Sequence, residues 1–286
     1  MRLNILHTTS YRYARAVTFG PHLLMVRPRE GHSIHIENAK LEVYPDHRLR
    51  WIQDIYGNSI ARVEFSQPAN ELRVVSEVTV HHYDGNPFDF ILAPHAVTYP
   101  FSYDAIEQPD VAPYLIPDYP DAGPAMKEWI RPFWKSGGAV PTLDLLMQMN
   151  REIRGDFDYV RREETGVQTP SETLQKGSGS CRDFAVLFME ACRHLGLASR
   201  FVSGYLHTPQ DSGGQHGSTH AWADVYLPGA GWKGFDPTGG MLACDLHVPV
   251  GVARHPAGAA PITGSFSGGL ENFLGMQVDV QVNALS

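Results

Sequence analysis

Residues 177–185 read Gly177-Ser178-Gly179-Ser180-Cys181-Arg182-Asp183-Phe184-Ala185. Glycine and serine make a tight turn, and the cysteine then falls on the first turn of a helix. That helix is predicted over 181–194, with Phe184, Leu187, Phe188, Ala191, Cys192 and Leu195 as its apolar stripe and Gly196 closing it. Upstream, 125–134 and 142–153 also carry helical spacing, Pro141-Thr142 marking the start of the second. Downstream the rhythm turns to strands at 200–207, 220–227 and 232–236, with one more at 276–282, where Met276, Val278, Val280 and Val282 alternate. Helices followed by antiparallel strands define an α+β unit.

The partial positive charge at a helix N-terminus stabilises a thiolate, and Ser178 or Ser180 can cap the free N–H groups there. Cys192, set among Ala191 and Phe188, reads as packing. A nucleophilic thiol needs a base, and the base needs a group to fix its tautomer. Period-2 alternation in Ser218-Thr-His220-Ala-Trp222-Ala-Asp224-Val-Tyr226 puts His220, Trp222, Asp224 and Tyr226 on one strand face. Gly231-Trp-Lys-Gly-Phe-Asp236-Pro-Thr supplies a carboxylate, and the turn 228–231 brings its strand beside that of His220. A lone strand histidine is ordinarily a packing or surface residue, and an Asp before proline a turn-former. The combination of Cys181, His220 and Asp236, in that order, points to a catalytic triad. Candidate oxyanion donors are the Cys181 N–H, Gln175 and the Tyr159 hydroxyl. Arg182, Asp183 and Trp222 are candidate shapers of the site, although an exposed ion pair explains Arg182 and Asp183 equally well.

The first hundred residues read as β. Leu72, Val74, Val78 and Val80 alternate with polar neighbours, and Tyr56-Gly57-Asn58 is a turn between runs 49–55 and 59–65. Ile34 and Ile36 alternate on one phase and Leu41 and Val43 on the other, which predicts a bulge near Asn38-Ala39. Short strands with regular turns predict an N-terminal antiparallel β-sandwich over residues 1–106. Five prolines between Glu107 and Pro124 predict a linker over 107–124 without a helix. Residues 125–286 then form the catalytic core with its C-terminal strand.

Three ordered blocks carry a family resemblance: Gly-Ser-Cys181-Arg-Asp-Phe-Ala, His220-Ala-Trp-Ala-Asp-Val-Tyr-Leu-Pro-Gly and Gly231-Trp-Lys-Gly-Phe-Asp236-Pro-Thr. The segment Cys192 to Leu206 and the N-terminal half, from Leu3 to Asn58, add to it. The chain resembles the transglutaminase-like superfamily, in particular the bacterial members held to be cysteine proteases with an N-terminal β domain. The resemblance implies a papain-like core with Cys181 as nucleophile, His220 as base and acid, and Asp236 as the residue orienting His220. Gln175 enters as an oxyanion candidate because papain has a glutamine at that offset from its nucleophile. Related chains carry Arg-Asp-Tyr where this one has Arg254-His255-Pro256.

A triad of this kind attacks an amide or ester carbonyl and forms a thioester, which water resolves in a protease or amidase and an amine in a transglutaminase or ligase. Hydrolysis of a peptide or protein substrate is the expectation, with acyl transfer, a silent binding scaffold and a zinc hydrolase as alternatives. No cofactor is expected. No metal site is expected either: no calcium loop is visible, and His81-His82-Tyr83-Asp84 lacks zinc-ligand spacing. The formal net charge of −8 and the absence of a dense basic run argue against nucleic acid. No apolar run reaches the ~18 residues of a membrane span. An opening without a signal peptide and three cysteines in no disulfide pattern suggest a cytoplasmic protein. Gly213-Gly214, within the polar stretch 208–219, suggests a loop over the site.

Overall fold

The computed structural model describes residues 1–83, 85–162, 164–208 and 217–285. Its N-terminal part is built from β1 (Arg2–Phe19), β2 (His22–Leu24), β3 (Ile34–Tyr44), β4 (His47–Gln53), β5 (Ser59–Phe65) and β6 (Ala69–His82). β6 pairs antiparallel with both β1 and β3, and its even-numbered residues from Leu72 to Val80 are buried, as alternation requires. The expected bulge in β3 is present as a register shift between Ile36 and Asn38.

β7 (Thr98–Tyr99), α1 (Gln108–Leu115) and α2 (Gly123–Ile130) follow. α1 corrects the expectation of a helix-free linker. Pro109 occupies its first turn, where the missing N–H costs nothing. Pro113 is tolerated inside because Val111, Tyr114 and Leu115 pack with Tyr103 and Trp232 on the body of the protein. Tertiary burial here outweighs a breaker-rich composition.

Next come β8 (Val140–Pro141), α3 (Thr142–Asp156), β9 (Asp158–Tyr159), α4 (Pro170–Lys176), β10 (Ser178–Gly179) and α5 (Cys181–His194). α5 has no single apolar stripe. Residues 183 to 193 are all buried, because α2, α3 and α4 cover one side and the core sheet the other. That sheet comprises β11 (Ser199–His207), β12 (Gly217–Leu227), β13 (Gly231–Asp236), β14 (Met241–Leu242) and β15 (His247–Ala253), all antiparallel in the order β14-β13-β12-β11-β15.

The last three strands are β16 (Ile262–Thr263), β17 (Phe266–Ser267) and β18 (Phe273–Leu285). The C-terminal strand forms as expected, but it does not belong to the core sheet. β18 runs antiparallel along β1 from Arg2 to Tyr13, β17 pairs the end of β1, and β16 pairs β2. Residues 262–285 therefore complete the N-terminal sheets, and the core ends before them rather than at residue 286. β1 would otherwise present an unpaired edge, which β18 closes. The two N-terminal sheets share the apolar cluster of Tyr13, Phe19, Leu24, Val63, Leu72 and Val74. A second cluster joins Leu3, Ile5, Val80 and Val282 to Tyr205, Val248 and Val250 of the core sheet.

Candidate active site

Cys181 is the first residue of α5, with Ser180 in an extended conformation before it. The approach to this turn is fixed on both sides. α4 ends at Gly177, whose φ of +60° is the left-handed value that glycine adopts without strain. Gly179 lies so close to Asp183 that a Cβ there would stand 2.9 Å from the Asp183 Cβ. Asp183 is fully buried and gathers the loop. It accepts hydrogen bonds from Ser180 N–H (2.8 Å), Ser180 Oγ (2.8 Å), Gln168 N–H (2.6 Å) and Arg162 Nη1 (2.7 Å). Burial alone would raise its carboxyl, and these donors outweigh it, holding the group below the usual carboxylate range. Asp183 is thus no exposed partner of Arg182, whose guanidinium instead donates to the carbonyls of Arg162 and Glu164.

His220 lies in β12 and Asp236 at the end of β13, both buried. His220 Nε2 meets Asp236 Oδ2 at 2.9 Å. The Cys181 side chain lies near enough to act on the same ring, adding to the effect of Asp236. Burial pushes the imidazole down, yet the interactions with Asp236 and Cys181 prevail and raise it to about 10. Asp236 mirrors this: burial favours its neutral form, and donation from His220 and His247 drives it far below the normal carboxylate range. Its Oδ1 accepts the N–H of Thr238 at 2.9 Å.

Trp222 forms the wall behind the pair. Its ring stands edge-on to His247 at 5.2 Å and 6.2 Å from the His220 ring. Gly204 and Gly234 make room for it, since a Cβ at either position would meet the indole. Tyr159, on β9 opposite Gly179, packs edge-on to Phe184 and lies near enough to Cys181 for a thiolate there to raise its phenol, after the larger effect of burial. Gln175 is exposed on α4 and makes no hydrogen bond to Cys181 or His220 among the described residues. It sits in the last turn of α4, ahead of the Gly177 turn that leads to Cys181.

His247, at the start of β15, is absent from the sequence reading. Its Nε2 lies 3.1 Å from the same Asp236 Oδ2. A single histidine between Leu246 and Val248 carries no local signal. His220, Asp236 and His247 also place three metal-type donor atoms within 4.8 Å of one another. Both Nε2 atoms are engaged with the carboxylate, so an ion would have to displace their protons and separate the rings from Asp236. Of the histidine cluster first considered at the end of β6, His81 lies beside Glu37 at 3.9 Å; Asp84 is outside the described residues, as is Gly213-Gly214. Arg254 pairs with Asp118 of the proline-rich segment.

Residues 3–81 match the family described as Bacterial transglutaminase-like N-terminal region, and residues 135–237 match the Transglutaminase-like superfamily. An uncharacterized protein of Mycobacterium tuberculosis is 28% identical over 99% of this chain and 92% of its own length. Another, of Mycobacterium leprae, is 24% identical over 93% of this chain and 94% of its own. A solved structure described as "a Putative Cysteine Protease from Cytophaga hutchinsonii" superposes with a TM-score of 0.71 at 19% identity, covering 100% of this chain and 92% of that one. At that identity the likeness speaks for the fold. No helix among the described residues is long and apolar enough to cross a membrane.

Proposed function

The chain belongs to the transglutaminase-like superfamily, and from that premise we propose that it is a thiol-dependent hydrolase of peptide or amide bonds, acting through Cys181, His220 and Asp236. The observation that carries the reading is the buried 2.9 Å bond from His220 to Asp236, with Cys181 at the start of α5 near enough to raise the same imidazole. A ring raised to about 10 stays protonated at neutral pH and can hold a thiolate as its ion-pair partner.

In the proposed cycle the Cys181 thiolate attacks the scissile carbonyl carbon, and the carbonyl π electrons move to oxygen. The Cys181 N–H and the Tyr159 hydroxyl are the donors proposed for that oxyanion. Collapse expels the amine, which takes the proton from His220 Nδ1 and leaves a thioester on Cys181. Water then attacks the thioester carbonyl while His220 accepts its proton, and the second collapse releases the acid and restores the thiolate–imidazolium pair. Throughout, Asp236 holds the ring tautomer and offsets the imidazolium charge. The three thiols are free, and we place the protein in a reducing compartment, the cytoplasm.

The test is mass spectrometry of the protein mixed with a peptide library and quenched in acid. Expected is a peptide acyl group on Cys181, absent in Cys181→Ala, with free acid products accumulating over time. Added alkylamine distinguishes the outcomes of the thioester: amide products in place of acids would mean acyl transfer. A wild-type protein without any adduct or product would overturn the enzymatic reading in favour of a binding scaffold.

A further inference from the structure

We propose that His247 is a positioning residue for Asp236: it donates its Nε2–H to Oδ2 and thereby keeps that oxygen directed at His220. The inference rests on the triad reading above and extends it by a fourth residue.

The tautomer follows from the other side of the ring. The Cys244 N–H donates to His247 Nδ1 at 3.2 Å, so in the neutral imidazole the proton resides on Nε2, which faces Asp236 Oδ2 at 3.1 Å. The His247 side chain is only 1% exposed, so no bulk water competes for the carboxylate. Its backbone is held by pairing with Leu206 across β11 and β15, and its ring by the edge-on Trp222. Oδ2 therefore sits between two imidazoles while Oδ1 takes the Thr238 N–H. A carboxylate with donors on both oxygens has one orientation, and a triad acid that turned would leave His220 without its partner.

The titratable groups around Asp236 are His220 from β12, His247 from β15, Cys181 at the start of α5, acting through His220, and Cys244 and Asp245 ahead of β15. Among these His247 is the second donor to the carboxylate. Without it the carboxylate is free to turn from His220, the imidazolium loses part of its support, and the acid edge of thiolate reactivity moves upward in pH.

The experiment compares the full chain with His247→Leu and His247→Gln, measuring iodoacetamide alkylation of Cys181 by mass spectrometry from pH 4 to 9. A lost hydrogen bond to a charged group corresponds to about tenfold or more. His247→Leu is expected to react about tenfold more slowly at pH 5, with its acid edge about one pH unit higher and the deficit narrowing toward pH 8. His247→Gln, which keeps an N–H at the same reach, is expected to restore the wild-type profile. An unchanged profile, a parallel loss at every pH, or Gln behaving as Leu would each overturn the positioning role. Wild-type Cys181 reacting no faster than Cys244 at any pH would instead overturn the triad beneath it. Independently of either variant folding, ¹⁵N NMR of the wild-type imidazoles is expected to show His247 protonated on Nε2; a proton on Nδ1 overturns the inference by itself.

Discussion

Asp183→Asn should destabilise the protein far more than its conservative shape suggests. The native carboxylate accepts on both oxygens: Oδ2 from Ser180 N–H and Oγ, Oδ1 from Gln168 N–H and the Arg162 guanidinium. An asparagine turns one acceptor into an NH2 group: placed at Oδ1 it faces the Gln168 N–H and the Arg162 guanidinium, and placed at Oδ2 it faces the Ser180 N–H, the hydroxyl turning to accept, while the charge opposite Arg162 is lost either way. Each buried donor left unmatched costs roughly 1–3 kcal/mol. Arg162, with its side chain 19% exposed, recovers part of its share in water. The expected loss is about 3–5 kcal/mol, the range for removing one member of a buried pair. Urea unfolding followed by tryptophan fluorescence reads this as a midpoint about 1–1.7 M lower for a slope of ~3 kcal/mol/M. Glu128→Gln is the control, because its pairing with Arg131 is exposed on both sides and should cost under about 0.5 kcal/mol. Alkylation of Cys181 in folded Asp183→Asn should slow, since the turn that presents the thiol loses its anchor. A midpoint within error of the Glu128→Gln control would refute the view that Asp183 gathers the nucleophile loop.

Other predictions follow from the same structure. His220 is raised from 6.5 to about 10 by its partners, so its contribution to stability is whole below pH 6.5 and is lost as pH rises toward 10; on the scale of 1.36 kcal/mol per pH unit that is at most roughly 5 kcal/mol. Thermal unfolding should therefore weaken from pH 7 to 10 more steeply in wild type than in His220→Gln, and parallel slopes would contradict the assignment. Gly204→Ala drives a Cβ into the Val248 carbonyl and to 2.8 Å from the Trp222 ring, which should cost about 1–3 kcal/mol by overpacking and slow Cys181 alkylation; calorimetry and the alkylation rate check both. Arg193→Met leaves Glu190 and Asp118 without their shared cation, whose side chain is fully buried. Denaturant titration should show a loss of about 3–5 kcal/mol, partly recovered in the Arg193→Met/Glu190→Gln double variant.

The elements that carry Cys181, His220 and Asp236 were legible because each is locally coded. Glycine and serine before Cys181 write a helix start, alternation around His220 writes a strand, and 228–231 writes the turn that joins its strand to that of Asp236. α4 is equally legible: Thr169-Pro170-Ser171-Glu172 has the spacing of a capping box with proline at the first helical position, and the structure forms it, Thr169 N–H donating to Glu172 Oε2 and Glu172 N–H to Thr169 Oγ1. α1 was hidden by composition, since what stabilises it is the distant surface of Tyr103 and Trp232. His247 was hidden for a related reason. Nothing in its own segment distinguishes it, and its meaning arises where β15 crosses beside β11 and brings the ring to Asp236.

The return of the C-terminus explains what the N-terminal sheets contribute to the core. β11 carries Phe201 into the cluster around α5 and Tyr205 into the cluster with Leu3, Ile5 and Val282. One strand is therefore packed by both halves of the chain. At its far end the His207 ring donates to the Val282 carbonyl, Tyr205 hydrogen-bonds His7, and Gly217, at the start of β12, lies against the Val282 side chain. His220 follows three residues later on β12. His220 thus stands on a strand whose entry is braced by β18, and β18 is itself held along twelve residues of β1. Since β15 also packs on this side through Val248 and Val250, the N-terminal sheets support the strands of both histidines that meet Asp236. On this view the N-terminal domain is part of the rigidity of the site.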